Sequence, residues 1–209
     1  MIVCEDLCFG YGQKKVFDGF CHQFRPGVSL IRGYSGSGKS TLLKLIAGYL
    51  SPQKGKILLP DPWKSPNLDY QRKALGFVFQ QLNLLPLVSI TANMSLVASL
   101  AGIPSKTANE KGKGILANLG MSEYANRKPG QLSGGQQQRA ALASAMIKDP
   151  IFFLLDEPTS GLDDDNTNAI KSIITQKLSP QVYCIVASHD ARLDELADEI
   201  IDFDFHLSG

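Results

Sequence analysis

Three clusters in this 209-residue chain have the residue types and spacing for phosphate chemistry. Gly33-Tyr34-Ser35-Gly36-Ser37-Gly38-Lys39-Ser40-Thr41 reads G-x-x-x-x-G-K-[ST], a phosphate-binding loop pattern. Its glycines let backbone N–H groups turn inward around an anion with no side chain in the way. A helix starting there adds free N–H donors and the positive end of its dipole. Lys39 is then placed for the outer phosphates, and the Ser40 hydroxyl for Mg²⁺. The second cluster is Asp156-Glu157, two acids that directly follow the apolar run Ile151–Leu155. Asp156 is expected to hold Mg²⁺, directly or through water, and Glu157 to accept a proton from an attacking water. The third is Leu132-Ser133-Gly134-Gly135-Gln136-Gln137-Gln138-Arg139. Ser-Gly-Gly opening an Ala-rich helix is another anion cradle, built from N–H groups, a hydroxyl and a helix start. One nucleotide needs only one such helix terminus, so the second demands an explanation.

These groups must be held by elements that the pattern also predicts. Val28–Arg32 reads as a buried strand entering the first loop, and Thr41–Gly48 as the helix leaving it, with Leu42, Leu43, Ile46 and Leu50 on one face and Pro52 and Gly55 as its end. Residues 2–24 alternate and read as two or three antiparallel strands. Lys56–Leu59 returns as a strand, and Pro60, Pro62 and Pro66 predict an irregular surface loop over 60–69, with Trp63 tucked onto the surface. Gly76–Phe79 is a short buried strand ending at Gln80. Helical patterns cover Thr91–Ala101, stopped by Gly102 and Pro104, then Ser105–Leu119 and Gly134–Ile147. After Pro150 the reading is strand Ile151–Leu155, helix Asp164–Leu178, strand Val182–Ala187, helix Ala191–Ala197 and strand Glu199–Phe203. Strands alternating with helices imply an α/β fold, a mostly parallel sheet covered on both faces. In such sheets ligands bind at the carboxyl ends of the strands, which puts Asp156 and Glu157 beside the phosphate loop.

Composition bounds the rest. Hydrophobic residues make up 44% and charged residues 20%, as in a globular protein. The net charge of +1 gives no footprint for a nucleic acid or another polyanion. Cys4, Cys8, Cys21 and Cys184 lack C-x-x-C spacing and read as buried free thiols in a reducing compartment. The start, Met1-Ile2-Val3-Cys4-Glu5-Asp6, lacks the regions of a signal peptide, and no apolar run approaches the ~20 residues of a membrane span. A membrane role is therefore expected to go through a partner chain.

With these motifs in order, the chain resembles the nucleotide-binding ATPase subunit of ATP-binding-cassette (ABC) transporters. Leu132-Ser133-Gly134-Gly135-Gln136 is similar to the signature that separates this family from other phosphate-loop ATPases. The resemblance implies a P-loop NTPase with a mostly parallel core sheet, an N-terminal antiparallel β region and an inserted helical subdomain. Residues 1–81 and 149–209 would form the core with the β region, and about 82–148 the helical signature subdomain, in a single ABC ATPase domain. It implies ATP and Mg²⁺ as ligands, and roles for single residues. Tyr11 matches the aromatic that stacks on adenine. Gln80 matches the glutamine that reaches Mg²⁺ and the attacking water and moves with the partner's contact. His189 matches the histidine on the γ-phosphate, and Ser160-Gly161-Leu162-Asp163 the loop that crosses to the opposite subunit. Alone, Tyr11 reads as a packed strand tyrosine, His189 as a loop or core histidine, and Gln80 says almost nothing; the joint order carries them.

The resemblance further implies a head-to-tail dimer. ATP would lie between the phosphate loop of one subunit and Ser133 and Gly135 of the other, which accounts for the second cradle. A second nucleotide-binding subunit, most simply a copy of this chain, and a membrane-spanning permease are the implied partners. The implied location is cytoplasmic, peripheral on the inner face of the membrane. Gly76–Pro86 and Leu132–Arg139 are similar to the lipoprotein-release and macrolide-export type. Ser188 stands where threonine is frequent, the 60–69 segment is short and proline-rich, and no regulatory C-terminal domain is expected. Two other readings remain: a soluble ABC ATPase not linked to transport, and a regulatory module that binds ATP without turnover. The first usually has coiled-coil insertions or tandem cassettes, and the second would lack Glu157 or Ser133.

Overall fold

The computed structural model describes residues 1–177 and 181–203. In chain order it has β1 (Ile2–Tyr11), β2 (Lys14–Phe24), β3 (Gly27–Arg32), α1 (Lys39–Ile46), β4 (Lys54–Leu58), α2 (Leu68–Lys73), β5 (Leu75–Val78), α3 (Ile90–Leu100), α4 (Ser105–Asn118), α5 (Gly134–Met146), β6 (Phe152–Asp156), α6 (Asp164–Lys177), β7 (Tyr183–Ala187) and β8 (Glu199–Asp202). One sheet has the order β5-β6-β7-β3-β8, and its pairings are all parallel. The other is antiparallel, in the order β2-β1-β4.

Parallel strands buried on both faces need apolar residues at every position. In β6, Phe152, Phe153, Leu154 and Leu155 are all fully buried. Phe152 and Leu154 join the core shared with α1 and the antiparallel sheet, whereas Phe153 and Leu155 join the core under α3–α6. Strand β7 divides in the same way, Tyr183, Ile185 and Ala187 to one side and Cys184 and Val186 to the other. At about 1.5–3 kcal/mol for each large apolar side chain, such strands are the energetic centre of the fold.

The strand ends converge. Ile31 pairs with Ala187, Ala187 with Asp156, and Leu155 with Val78. The segments that follow β3, β5, β6 and β7 therefore leave the sheet side by side at one edge. The helical part lies between β5 and β6 in sequence. Ser89 caps α3 by accepting from Ala92 N–H, and the buried Asn93 ties the incoming segment to α3 through Leu85 N–H and C=O.

The structure corrects several expectations. The helix after the phosphate loop ends at Ile46, before Leu50, Pro52 and Gly55; Gly48 at φ 74° takes the left-handed conformation that stops it. The 60–69 loop is shorter than expected, because Asn67 caps a helix from Leu68 by accepting from Tyr70 N–H. Trp63 packs against the core, edge-on to the fully buried Tyr70. Residues Ala191–Leu196 form a 3₁₀ helix, and Ile151 is exposed just ahead of β6. The expected helix end at Leu178 lies outside the described residues. Cys4 and Cys184 are buried, with thiols pushed up to about 12 by desolvation, but Cys8 is half-buried and Cys21 is exposed. Among the described residues no helix is long and apolar enough to cross a membrane.

Candidate active site

Gly33, Gly36 and Gly38 all have positive φ (151°, 85° and 97°), the conformation that turns successive N–H groups to one side. Gly38 is also sterically required, because a Cβ there would come within 2.8 Å of Val16 Cγ1. Helix α1 begins at Lys39 with no side-chain cap and no acid in its first turn, so its N–H donors and dipole face the loop. Lys39 is 5% exposed; its ammonium donates to the carbonyls of Gly33 and Tyr34 and lies 3.7 Å from Glu157 Oε1. Ser37 Oγ is buried with no hydrogen-bond partner among the described residues.

Asp156, at the end of β6, is 4% exposed and accepts from Ser40 Oγ at 2.8 Å. Burial pushes its carboxyl above the ordinary range, against the opposing pull of that hydrogen bond. A desolvated carboxylate beside a hydroxyl, with Gln80 at the same cavity, is an oxygen set that suits a hard divalent cation. Glu157 has φ 49°, rare for a side chain that is not glycine, and its N–H donates to Ala187 C=O at 2.8 Å. Such strain costs on the order of 1 kcal/mol and persists where surroundings hold it. They do so here: Ser188 Oγ donates to Glu157 Oε2 at 3.1 Å, and His189 Nδ1 lies 3.0 Å from the same carboxylate.

A cavity of about 290 Å³ gathers Tyr11, Ser35, Gly36, Gly38, Lys39, Ser40, Thr41, Gln80, Glu157 and His189. Gly33, Ser37 and Asp156 do not line it, but Gly33 and Asp156 accept from Lys39 and Ser40, which do. Tyr11 is half-exposed, edge-on to Phe9 at 5.1 Å, with its hydroxyl 3.5 Å from Thr41 Oγ1. Val16 and Lys14 line the same side and carried no sequence signal. Nor did Arg192, whose guanidinium donates to Asp190, Asp164 and the Leu162 carbonyl. That contact and the Thr159 hydroxyl keep the Asp190 carboxyl at about 2.

Ser133, Gly135 and Asp163 do not line this cavity. Ser133 caps α5: its Oγ accepts from Gln136 N–H, and Gln136 Oε1 accepts from Ser133 N–H at 2.9 Å. Acting as the acceptor leaves the hydroxyl proton of Ser133 available to an anion. Asp163 caps α6, accepting from Asn166 N–H at 2.9 Å. The cradle is therefore complete in itself and lies outside the cavity at the phosphate loop of its own chain.

A second cavity, of about 430 Å³, opens between β5 and α5, floored by Tyr49, Phe77 and Phe79 and bounded by Leu100, Arg72 and Lys148. Burial pushes the Lys148 ammonium down to about 8, and it donates to Gln71 C=O at 2.7 Å.

The chain is similar to known proteins over nearly its whole length. The family profile described as ABC transporter matches residues 24–160. HrtA of Staphylococcus aureus strain RF122, named as a hemin import ATP-binding protein, is 33% identical over 97% of this chain and 96% of its own length. HrtA from strain MRSA252 is 34% identical over the same shares. Among solved structures, the dimeric MJ0796 cassette superposes with a TM-score of 0.83 at 28% identity, covering 97% of this chain and 94% of that one. Its dimeric post-hydrolysis state with ADP and Pi gives 0.83 at 27%.

Proposed function

The chain belongs to the ABC transporter ATP-binding family and is an ATP-hydrolysing cassette, and from that premise we propose how its residues divide the work. The observation that carries the reading is the separation of two anion cradles. The phosphate loop shares a cavity with Gln80, Glu157 and His189, while Ser133 and Gly135 lie outside it. Two copies of this chain, head-to-tail, bring each cradle onto the other copy's ATP. The free Ser133 hydroxyl proton and the first N–H groups of α5 then meet the γ-phosphate opposite the N-terminus of α1.

In each half, Lys39 leaves its loop carbonyls for the outer phosphates, and Tyr11 offers its face to adenine. Glu157 takes the proton of the attacking water, and His189 and Gln80 fix that water and the γ-phosphate. Gly33, Ser35, Gly36, Ser37, Gly38 and Thr41 hold the phosphates, and Asp163 faces the partner. Ser40, Gln80 and Asp156 are the residues for Mg²⁺, which supplies charge neutralisation at the phosphates. Residues 1–81 and 149–209 act as the nucleotide core and about 82–148 as the helical part that carries the second cradle.

The membrane-spanning partner takes the apolar groove over Phe77 and Phe79. Phe79 adjoins Gln80, so a segment seated there shifts a residue of the nucleotide cavity. That gives the chain a peripheral place on the cytoplasmic face of the membrane. The Staphylococcus relatives, named for import, favour this reading over a soluble ATPase.

The test is Glu157→Gln. The variant is expected to bind ATP, to hydrolyse it roughly 100–1000-fold more slowly and to accumulate as an ATP-dependent dimer in analytical ultracentrifugation. Wild-type turnover would remove Glu157 from its role, and a variant that remains monomeric at saturating ATP would remove the split site.

A further inference from the structure

Gly135 is buried inside the first turn of α5, and its φ is not in the left-handed region. Its backbone therefore does not require glycine, and alanine is the better helix former. The requirement is space. A Cβ on Gly135 would lie 2.2 Å from Asn166 Oδ1 and 2.4 Å from its Cγ. At Gly134, one residue earlier, a Cβ would meet nothing within 4 Å.

The Asn166 carboxamide is held against Asp163. Its Nδ2 donates to Asp163 Oδ1 at 2.8 Å, and its backbone N–H donates to the same oxygen at 2.9 Å. These two bonds hold the Asp163 carboxyl below the ordinary range, so they are made to the ionised form. Asn166 thus touches both pieces proposed to meet the other copy: the cradle through Gly135 and the crossing turn through Asp163.

We infer that Asn166 is a positioning residue that pins the Ser133–Gly135 cradle to the Asp163 turn as one unit, and that Gly135 is glycine because the Asn166 carboxamide fills the volume of its side chain. The inference rests on the head-to-tail reading for its consequence in dimerisation, though not for the contact itself. Pinned together, cradle and turn meet the opposite nucleotide in fixed register. Unpinned, each must be ordered separately as the dimer closes.

Two measurements test it. The first is a thermal unfolding cycle on the nucleotide-free chain with Gly135→Ala, Asn166→Ala and the double variant. Gly135→Ala is expected to lower the melting temperature by several degrees when Asn166 is present, and to leave it unchanged or raise it when residue 166 is alanine. Equal effects in both backgrounds overturn the inference. The second repeats the cycle in Glu157→Gln and follows ATP-dependent dimerisation. Asn166→Ala is expected to raise the protein concentration needed for the dimer roughly tenfold, and Gly135→Ala to add less than about threefold once residue 166 is alanine. An Asn166→Ala variant that dimerises like its parent overturns the positioning role, and a double variant impaired by the sum of the two single effects overturns the shared contact. Failure of Glu157→Gln itself to dimerise sinks the head-to-tail reading, while the unfolding cycle still decides the role of Asn166.

Discussion

Ser188 and Glu157 are bound to each other across the ends of two neighbouring strands, the Ser188 hydroxyl donating to Glu157 Oε2 at 3.1 Å. Ser188 is 1% exposed, and its Oγ also accepts from Asp190 N–H at 3.1 Å, so its proton has one direction to go. Glu157 sits on a strained backbone, and this bond aims its carboxylate.

Removing that bond should cost turnover and spare binding. A hydrogen bond to a charged group contributes about 1.5–3 kcal/mol, which corresponds to roughly 10–100-fold in rate. Ser188→Ala is expected to lower kcat within that range with KM for ATP unchanged, and Ser188→Thr, which keeps the hydroxyl, to stay near wild type. Steady-state ATPase kinetics check it, and a parallel rise in KM would show that Ser188 acts on nucleotide binding instead.

Asp156 is held in a fold that disfavours its charge. Its folded pKa lies above the unfolded one, so its contribution to stability is present at acid pH and is lost as pH rises through the folded value. At neutral pH the ionised carboxylate therefore destabilises the nucleotide-free chain. Asp156→Asn keeps the acceptor for Ser40 and removes the charge. It is expected to melt at a higher temperature at pH 7.5, with the gain gone near pH 3, while Mg²⁺-dependent ATP turnover falls roughly 100-fold. Calorimetry across pH together with an ATPase assay reads both.

Lys148 gives a prediction at alkaline pH. Its folded pKa of about 8 lies below that of an ordinary lysine, so between about pH 8 and 10 the unfolded chain binds a proton that the folded chain does not. Stability relative to Lys148→Met is expected to rise across that window and to level off above it. At pH 8 about half of the side chain is neutral, against under about 1% of a free lysine, so an amine-reactive label is expected to favour it. Peptide mapping after brief labelling measures this, and protection by a membrane partner would locate that partner in the groove.

Much of the site was legible because its chemistry constrains adjacent residues. A loop that wraps phosphate needs glycines at fixed offsets, and a strand buried on both faces needs an unbroken apolar run before its acids. Gly33–Thr41 and Phe152–Glu157 show both patterns in a few residues each. What escaped was set by single contacts. Asn67, a cap residue inside a proline-rich stretch, starts a helix where prolines suggested a loop. Leu50 extends the apolar period of α1 past Gly48, whose φ had already ended the helix.

The sequence by itself determined the family, the α/β order of elements and most of the residues that line the candidate nucleotide cavity, because each follows from local periodicity or from a short motif. The tertiary structure alone decided what those residues touch. It put Ser188 on the Glu157 carboxylate, Arg192 between Asp190 and Asp164, and Asn166 against Gly135, across chain separations of 31, 28 and 31 residues. It also left the second cradle outside the cavity of the first. Such relations depend on how packed strands and helices aim side chains that are distant in sequence, and no local pattern of residue types encodes that direction.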